Sequence, residues 1–528
     1  MDLNIKFIFI LLTISKVVNS ANILFLSPTP SYSHSVVYFP IIRELSLRGH
    51  KVVSIIPDLI EDPKLINLTE IDIHDEAYKV AEQVMVGLDG LLNDWSFDPY
   101  EWYHDFSYKI IDGYFQFPEV QELIQHPEKY HFDLVITEWI TYQSVIAFAD
   151  LFKCPLIGIS SYTIFLHGHD AIGNPTHPIY QPNAWDQFRD PSSLLDRVLS
   201  VYTTIKARLY YNHFVLPKQN YLVQKNFGKL VNRSIEEMEH DVSLVLTNTN
   251  PILHGAYPKV ANLIEFGGIH MQKFVPLEKE LQLFLEDAEN GFIYFSLGSN
   301  IKSFHLGDNI INTIINVFKK LPYKVIWKLE LRNLTEKMLF ANQKNIYVSK
   351  WLPQRAILEH PKIKLFIMQG GLQSTEEALR GPNRVPLIII PFLSDQNINA
   401  GRFEQLGLGK RLLRSEITEE HLEKTIHEVI NNTRYKECIA EIANTLWDQP
   451  TKPLDRVIWW IEYVIRHKGA KYLRNPALNA TWSEANLLDV YLFIFSILVF
   501  GIVILYLITK RLIAFSKSKI SLRSKKKV

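Results

Sequence analysis

One kind of segment, repeated in both halves of the chain, constrains the fold most. These segments are short, almost continuously apolar runs of strand length, bounded by turn residues and separated by longer amphipathic stretches. In the first half they are Asn22–Leu26, Lys51–Ile56, Phe132–Thr137 and Pro155–Ser160. In the second they are Phe292–Ser296, Val325–Leu329, Leu365–Met368 and Leu387–Ile390. Apolar runs that do not alternate must be buried on both faces, as in parallel sheets covered by helices. A helical pattern from Val36 to Leu47 joins the first two runs and stops at Arg48-Gly49-His50, with Gly49 suited to end a helix. Strand, helix and strand within about 35 residues make a βαβ unit. The pattern therefore predicts two α/β lobes. A length of 528 residues agrees, since it exceeds one ordinary domain and allows two lobes of about 200 residues each.

The expected lobes are 21–245 and 246–470, with the crossover carried by Ser243–Phe274. Asp455–His467 is amphipathic and expected to pack back on the first lobe. Ile71–Glu128 and Tyr162–Phe227 are aromatic-rich and irregular in pattern, as befits segments that shape a pocket at the mouth of an open sheet. Asn174-Pro175-Thr176-His177-Pro178 reads as a loop.

The ends predict a membrane topology. Met1–Ser20 has Lys6, an apolar run from Phe7 to Ile14 and a small residue at Ser20, the pattern of a secretory signal peptide. Val490–Thr509 is uncharged and, at about 20 residues, long enough to span a bilayer as a helix. Lys510, Arg511, Lys517, Lys519, Arg523 and Lys525–Lys527 follow, so residues 510–528 read as a cytosolic tail of a single-pass type I protein. The closing Lys525-Lys526-Lys527-Val528 resembles the dilysine signal of endoplasmic-reticulum membrane proteins. Sequons at Asn67, Asn232, Asn333, Asn431 and Asn479 are compatible with a lumenal body.

Composition excludes other classes. Lys plus Arg and Asp plus Glu number 56 each, so no basic surplus points to nucleic acid. Cys154 and Cys438 fall in different expected lobes, against a disulfide. No CxxC or HExxH occurs, so neither a metal centre nor a bound cofactor is expected.

The segment richest in chemistry runs from Trp351 to Gln396. Trp351 offers a flat face for a base. Leu365–Met368 leads into Gly370-Gly371 and a helix, whose first N–H groups can face a diphosphate. Glu377, about two turns on, can accept from ribose hydroxyls. Asp395-Gln396 follows Leu387–Ile390 at the ligand-binding edge of the sheet. Each feature alone is weak, since a lone Trp is more often core and a lone Gly-Gly a turn; the ordered set is specific.

This segment resembles the signature of the UDP-glycosyltransferases, inverting enzymes that move a sugar from a UDP-sugar to small lipophilic acceptors. The likeness extends to Pro28-Thr29-Pro30-Ser31-Tyr32-Ser33-His34, Arg48-Gly49-His50, Phe295-Ser296-Leu297-Gly298-Ser299-Asn300, Tyr323–Lys328 and the anchored tail. It covers nearly the whole chain and is greatest to the insect branch. The resemblance implies two Rossmann-like lobes of the GT-B type plus one C-terminal transmembrane helix. By the same resemblance Trp351 stacks uracil, Gln354 contacts the nucleoside, and Ser299, Gln369, Gly371 and Ser374 line the diphosphate. Glu377 binds ribose, and Asp395 and Gln396 hold the sugar. UDP-sugar is then a co-substrate, with UDP-glucose the donor implied by the insect branch. A homodimer is expected by family analogy alone.

The first lobe should supply the base. His34 falls between the first strand and first helix, where open sheets bind ligands, and a neutral imidazole suits removal of a hydroxyl proton near pH 7. Glu138, ending the strand Phe132–Thr137, is placed to orient it. Tyr100, Trp102, Tyr103, Tyr108 and Phe115 are candidate acceptor-pocket residues, with packing as the alternative role.

The chain departs from the family pattern at three places. Many members have Asp where Glu138 stands, and Gln369 replaces a common His. Gly381-Pro382-Asn383-Arg384 lengthens the segment before Pro386 by two residues, expected as a surface turn, with Arg384 as an added phosphate ligand the remoter alternative. The rival reading is an impaired relative that binds lipophiles or UDP-sugar without turnover.

Overall fold

The computed structural model describes residues 20–85, 97–270, 274–330 and 343–525. Met1–Asn19 of the expected signal peptide, the sequon Asn333 and Lys526–Val528 lie outside the described residues. The chain divides into a unit up to Arg474 and a second from Asn475 onward.

The first unit contains two sheets, both parallel throughout. The first has seven strands in the order β3-β2-β1-β4-β5-β6-β7: β1 Asn22–Leu26, β2 Lys51–Ile56, β3 Leu68–Asp72, β4 Leu134–Glu138, β5 Leu156–Ser160, β6 Leu244–Thr247 and β7 Leu263–Glu265. The second has six in the order β10-β9-β8-β11-β12-β13: β8 Phe292–Ser296, β9 Lys324–Lys328, β10 Ile346–Ser349, β11 Ile363–Met368, β12 Leu387–Ile389 and β13 Gly409–Arg411. Both are Rossmann-like, and in each the strand order reverses beside the first strand, where such sheets open a crevice for ligands. In the first sheet Leu26 pairs with Thr137, so the segments leaving β1 and β4 run side by side. In the second, Ser296 pairs with Met368, which sets Leu297–Asn300 beside Gln369–Gly371.

Burial on both faces follows from the apolar strands. Ile23 and Phe25 of β1 pack on one side against Val37, Tyr38, Ile41 and Leu45 of the helix Tyr32–Leu47. Leu24 and Leu26 point into the opposite core with Ile110, Ile111 and Tyr114. The helix Pro453–His467 returns to the first sheet, burying Val457, Ile458, Ile461 and Val464 in the core of Ile23 and Phe25. At its end Arg48 donates to Glu462 Oε1 at 3.2 Å. Gly49 N–H donates to Ser46 O and His50 N–H to Leu45 O, a Schellman stop with Gly49 at φ 92°.

Several expectations shift. The first helix begins at Tyr32, not Val36, because Tyr32, Ser33 and His34 face the cleft rather than the core and so break the apolar period. β4 runs from Leu134 to Glu138, starting two residues later and ending one later than the expected Phe132–Thr137. β6 and β7 fall inside Ser243–Phe274 and belong to the first sheet, so the chain leaves that lobe later than the expected boundary at 245 and 246. The aromatic segments are largely helical, with helices at His74–Met85, Pro99–Tyr114, Pro118–Gln125, Leu194–Tyr210 and Leu216–Phe227. Cys154 and Cys438 are both free.

The second unit contains the helix Leu488–Lys525. Its stretch Leu488–Lys517, which contains Val490–Thr509, is long and apolar enough to cross a membrane.

Candidate active site

The carboxyl ends of β1 and β4 bring together the two residues expected to act as a pair. His34 sits on the first turn of the helix Tyr32–Leu47, and its Nδ1 lies 2.7 Å from Glu138 Oε1. Glu138 is buried and fully engaged: Tyr38 OH donates to Oε1 at 2.8 Å, Ser27 Oγ to Oε2 at 2.8 Å, and Thr29 Oγ1 also to Oε2. Burial alone would raise the Glu138 carboxyl; the charge and hydrogen bond of His34, with those of Thr29 and Tyr38, outweigh it and hold the pKa below the usual carboxylate value. The extra methylene of Glu over Asp is thus accommodated within bonding distance. With Nδ1 on the carboxylate, Nε2 is the nitrogen left to take a proton from the cleft.

His34 lies where two cavities meet. The inner one, of about 140 Å³, is lined by Ser299, Trp351, Gln354, Gln369, Gly371, Ser374, Glu377, Asp395 and Gln396 together with His34. Glu138 lies behind His34 and does not line it. The helix Leu372–Arg380 starts from Gly371 with no side-chain cap and no acid in its first turn, so its leading N–H groups remain for an anion. Gly298 (φ 79°) and Gly371 crowd Gln369: a Cβ would stand 2.3 Å and 2.8 Å from its Nε2. Gln369 Oε1 is buried without a partner among the described residues.

Gln354 ties together one end of this cavity. Its Nε2 donates to Glu377 Oε2 at 2.8 Å and Ser374 Oγ at 3.0 Å, and its Oε1 accepts from Tyr294 OH at 3.2 Å. Burial pushes the Glu377 carboxyl up, opposed by His270 and Gln354. Trp351 is 58% exposed, which leaves its ring available for stacking; it meets the Tyr32 ring edge-on at 5.6 Å. At the other end Asp395 is pushed up to about 6 by burial and accepts from Asn399 Nδ2 at 2.7 Å. Gln396 Oε1 accepts the N–H groups of Phe392 and Leu393. Its amide nitrogen is thereby left for a ligand. Ser394, beside them, holds φ at 61°, a strained value for a non-glycine residue.

The outer cavity, of about 720 Å³, is mostly apolar. Trp102, Tyr103, Phe106, Tyr162 and Trp185 line it from the first lobe, and Ile301 and Phe304 from the second. Of the five aromatics expected there, Trp102 and Tyr103 are present. Tyr100 instead bonds Ala207 O, Phe115 packs in the core against Phe227, and Tyr108 lies beneath Lys218. Trp185, Tyr162 and Phe106 carried no pattern that set them apart from packing aromatics.

The added residues before Pro386 form a turn outside the cleft. Asn383 Nδ2 donates to Leu358 O and His360 O, while Arg384 donates to Leu379 O and Gly381 O at a helix end. Arg384 is therefore committed away from the diphosphate position. Among the described residues no group of three or more His, Cys, Asp or Glu could hold a metal ion.

Comparison with known proteins agrees with this geometry. Residues 23–527 match the family described as UDP-glucoronosyl and UDP-glucosyl transferase. The chain is similar to UDP-glycosyltransferase UGT4 of Dactylopius coccus, 32% identical over 483 residues covering 89% of this chain and 91% of that one. It is also similar to the ecdysteroid UDP-glucosyltransferase of Spodoptera littoralis nuclear polyhedrosis virus, 29% identical over 510 residues covering 92% and 96%. A solved UDP-glucosyltransferase from Polygonum tinctorium has a TM-score of 0.55 at 13% identity, over 85% of this chain and 99% of that one, a likeness of GT-B fold. A match that runs through both lobes and the apolar C-terminal helix shows that the chain belongs to the UDP-glucoronosyl and UDP-glucosyl transferase family, which transfers sugars from UDP-sugar donors.

Proposed function

We propose that the chain transfers glucose from UDP-glucose to a hydroxyl of a small, flat, lipophilic acceptor, with inversion at the anomeric carbon. The observation that carries this reading is the 2.7 Å His34–Glu138 contact at the junction of a polar and an aromatic-lined cavity. The acceptor occupies the outer cavity and presents its hydroxyl to His34 Nε2. As its oxygen attacks the anomeric carbon, the proton passes to His34 and the bond to the β-phosphate oxygen breaks. Glu138 orients the ring and stabilises the imidazolium. UDP leaves with the bonding electrons, its charge met by the N–H groups at the start of the helix Leu372–Arg380 and by Ser299, Gln369 and Ser374. Trp351 and Gln354 hold the nucleoside, Glu377 the ribose, and Asp395 and Gln396 the sugar. No metal is required in this scheme.

The donor rests on similarity to relatives named as UDP-glucosyltransferases, while the family also includes glucuronosyl transfer. The apolar C-terminal helix and basic tail support a single-pass protein of the endoplasmic reticulum with a lumenal body. Asn232 and Asn431 are exposed and suited to carry glycans.

The test is UDP release by the full-length chain in microsomes from UDP-glucose, UDP-glucuronate and UDP-N-acetylglucosamine, against a panel of phenols and hydroxylated polyketides. Acceptor-dependent release with UDP-glucose is expected and should vanish in His34→Ala, which still binds UDP. Release with UDP-glucuronate alone overturns the donor. Unchanged product formation by His34→Ala overturns the base. UDP binding without release from any pair favours the rival, a non-catalytic binding protein.

A further inference from the structure

Beneath the inner cavity, and reaching it only through Glu377, lies a buried acid–base cluster. His270 follows β7 through Phe266-Gly267-Gly268-Ile269. The approach is tightly built: a Cβ on Gly268 (φ 90°) would stand 2.3 Å from the Trp447 ring, and one on Gly267 2.9 Å from Thr249 O. His270 Nδ1 lies 3.1 Å from Glu376 Oε2, and Nε2 lies 3.7 Å from Glu377 Oε1. The three side chains are 0%, 1% and 5% exposed. Neither ring nitrogen meets strict hydrogen-bond geometry with a described residue.

Glu376 and Glu377 are neighbours on the helix Leu372–Arg380, and of the two only Glu377 reaches the cleft. Two adjacent carboxylates withdrawn from water do not both stay ionised unless a cation is held against them. The other cations nearby make their direct contacts elsewhere. Arg355, whose charge reaches Glu377 more weakly than that of His270, donates through Nε to Glu359 at 2.8 Å; Arg380, which feels the charge of Glu376, lies over the Trp447 ring at 4.7 Å; and His254 Nδ1 engages the Asn250 main chain. Among the described residues, His270 is the cationic side chain in ion-pair distance of both acids.

We propose that His270 is a positioning residue whose imidazolium, anchored by Glu376, keeps Glu377 a carboxylate aimed at the ribose hydroxyls of the donor. The proposal rests on the reading of Glu377 as the ribose ligand. Burial alone would lower the His270 pKa; the contact and charge of Glu376, then the charge of Glu377, outweigh it and raise the pKa above the ordinary value. Glu377 is left with one oxygen facing His270 and the other held by Gln354. This arrangement fixes the plane of the carboxylate while leaving lone pairs for two hydroxyls.

The test is calorimetric titration of the full-length protein in detergent with UDP and with 2′,3′-dideoxy-UDP. Wild type should prefer UDP by about ten-fold or more, as expected for hydrogen bonds to a charged group. His270→Gln should lose about ten-fold in UDP affinity while its affinity for the dideoxy compound is unchanged, so the preference collapses. His270→Gln combined with Glu376→Gln should recover only part of that preference, because the repulsion of Glu376 is removed while the burial that raises Glu377 remains. His270→Asn serves the same comparison if the glutamine variant does not fold. Equal loss for both ligands, or a preference left intact, overturns the proposal. Glu377→Gln separates the two readings. If it retains the preference, the ribose assignment fails; if it loses the preference while His270→Gln keeps it, only the role of His270 fails.

Discussion

Ser31 Oγ donates to Asn300 Oδ1 at 2.9 Å, tying the N-cap of the helix that bears His34 to the second-lobe loop that bears Ser299. Ser31 makes no cap bond to the main chain of its own helix; its hydroxyl meets Ser33 Oγ at 3.0 Å as well as Asn300. Gln373 Nε2 makes a second such link, to Ser161 O at 3.0 Å. The two bonds flank the cavity in which donor and base must meet.

Asn300→Ala removes the first link without touching the base. It should raise the KM for the donor several-fold, consistent with one hydrogen bond of about 1 kcal/mol, and leave the melting temperature nearly unchanged. Steady-state kinetics at saturating acceptor decide this.

Glu138→Gln should lower kcat by about a hundred-fold or more, with UDP affinity unchanged, since an amide can hold the ring but does not stabilise the imidazolium. Glu138→Asp should fall less, because the carboxylate is kept while Ser27, Thr29 and Tyr38 are reached less well. Kinetics paired with UDP titration would measure both.

Asp395 gives a pH signature in stability. Burial raises its pKa from 3.8 to about 6, so between those values the folded state binds more protons than the unfolded. The contribution of this group to stability is full below about 4 and is lost as the pH rises through about 6. Asp395→Asn should therefore match wild type near pH 4 and be more stable above pH 6, by at most about 3 kcal/mol. Thermal melts at a series of pH values test the sign.

Gly298→Ala should weaken UDP binding and lower stability by about 1–3 kcal/mol. The residue holds φ at 79°, and a Cβ would drive Gln369 out of place. Melting and UDP titration should move together.

Trp185→Ala should raise the KM for an aromatic acceptor about ten-fold with no change in UDP affinity. The indole stacks on Tyr103 at 4.3 Å and lines the outer cavity only.

Legibility in the sequence followed burial. β1, β2 and β8 were readable to the residue because both faces are apolar. β3, Leu68-Thr69-Glu70-Ile71-Asp72, and β13, Gly409-Lys410-Arg411, were not, because edge strands are held largely by main-chain pairing and keep polar side chains. The residues expected to bind the donor stood out because all but Ser299 occupy one continuous stretch from Trp351 to Gln396. His270 did not, since it lies about a hundred residues before the acid it contacts and nothing local marks it.

The sequence by itself determined the α/β pattern, the apolar C-terminal helix and which residues are candidates for donor chemistry, because each is written in local period, composition or spacing. Only the tertiary structure decided which side chains share a cavity. His34 and Glu138 meet because parallel pairing aligns the ends of β1 and β4. Trp185 and Phe304 face one chamber because the two lobes close over it. Glu376 and Glu377 share one buried imidazole because the chain, having left β7, passes beneath the donor helix. Such contacts depend on register and packing between distant segments, and no local pattern of residues encodes them.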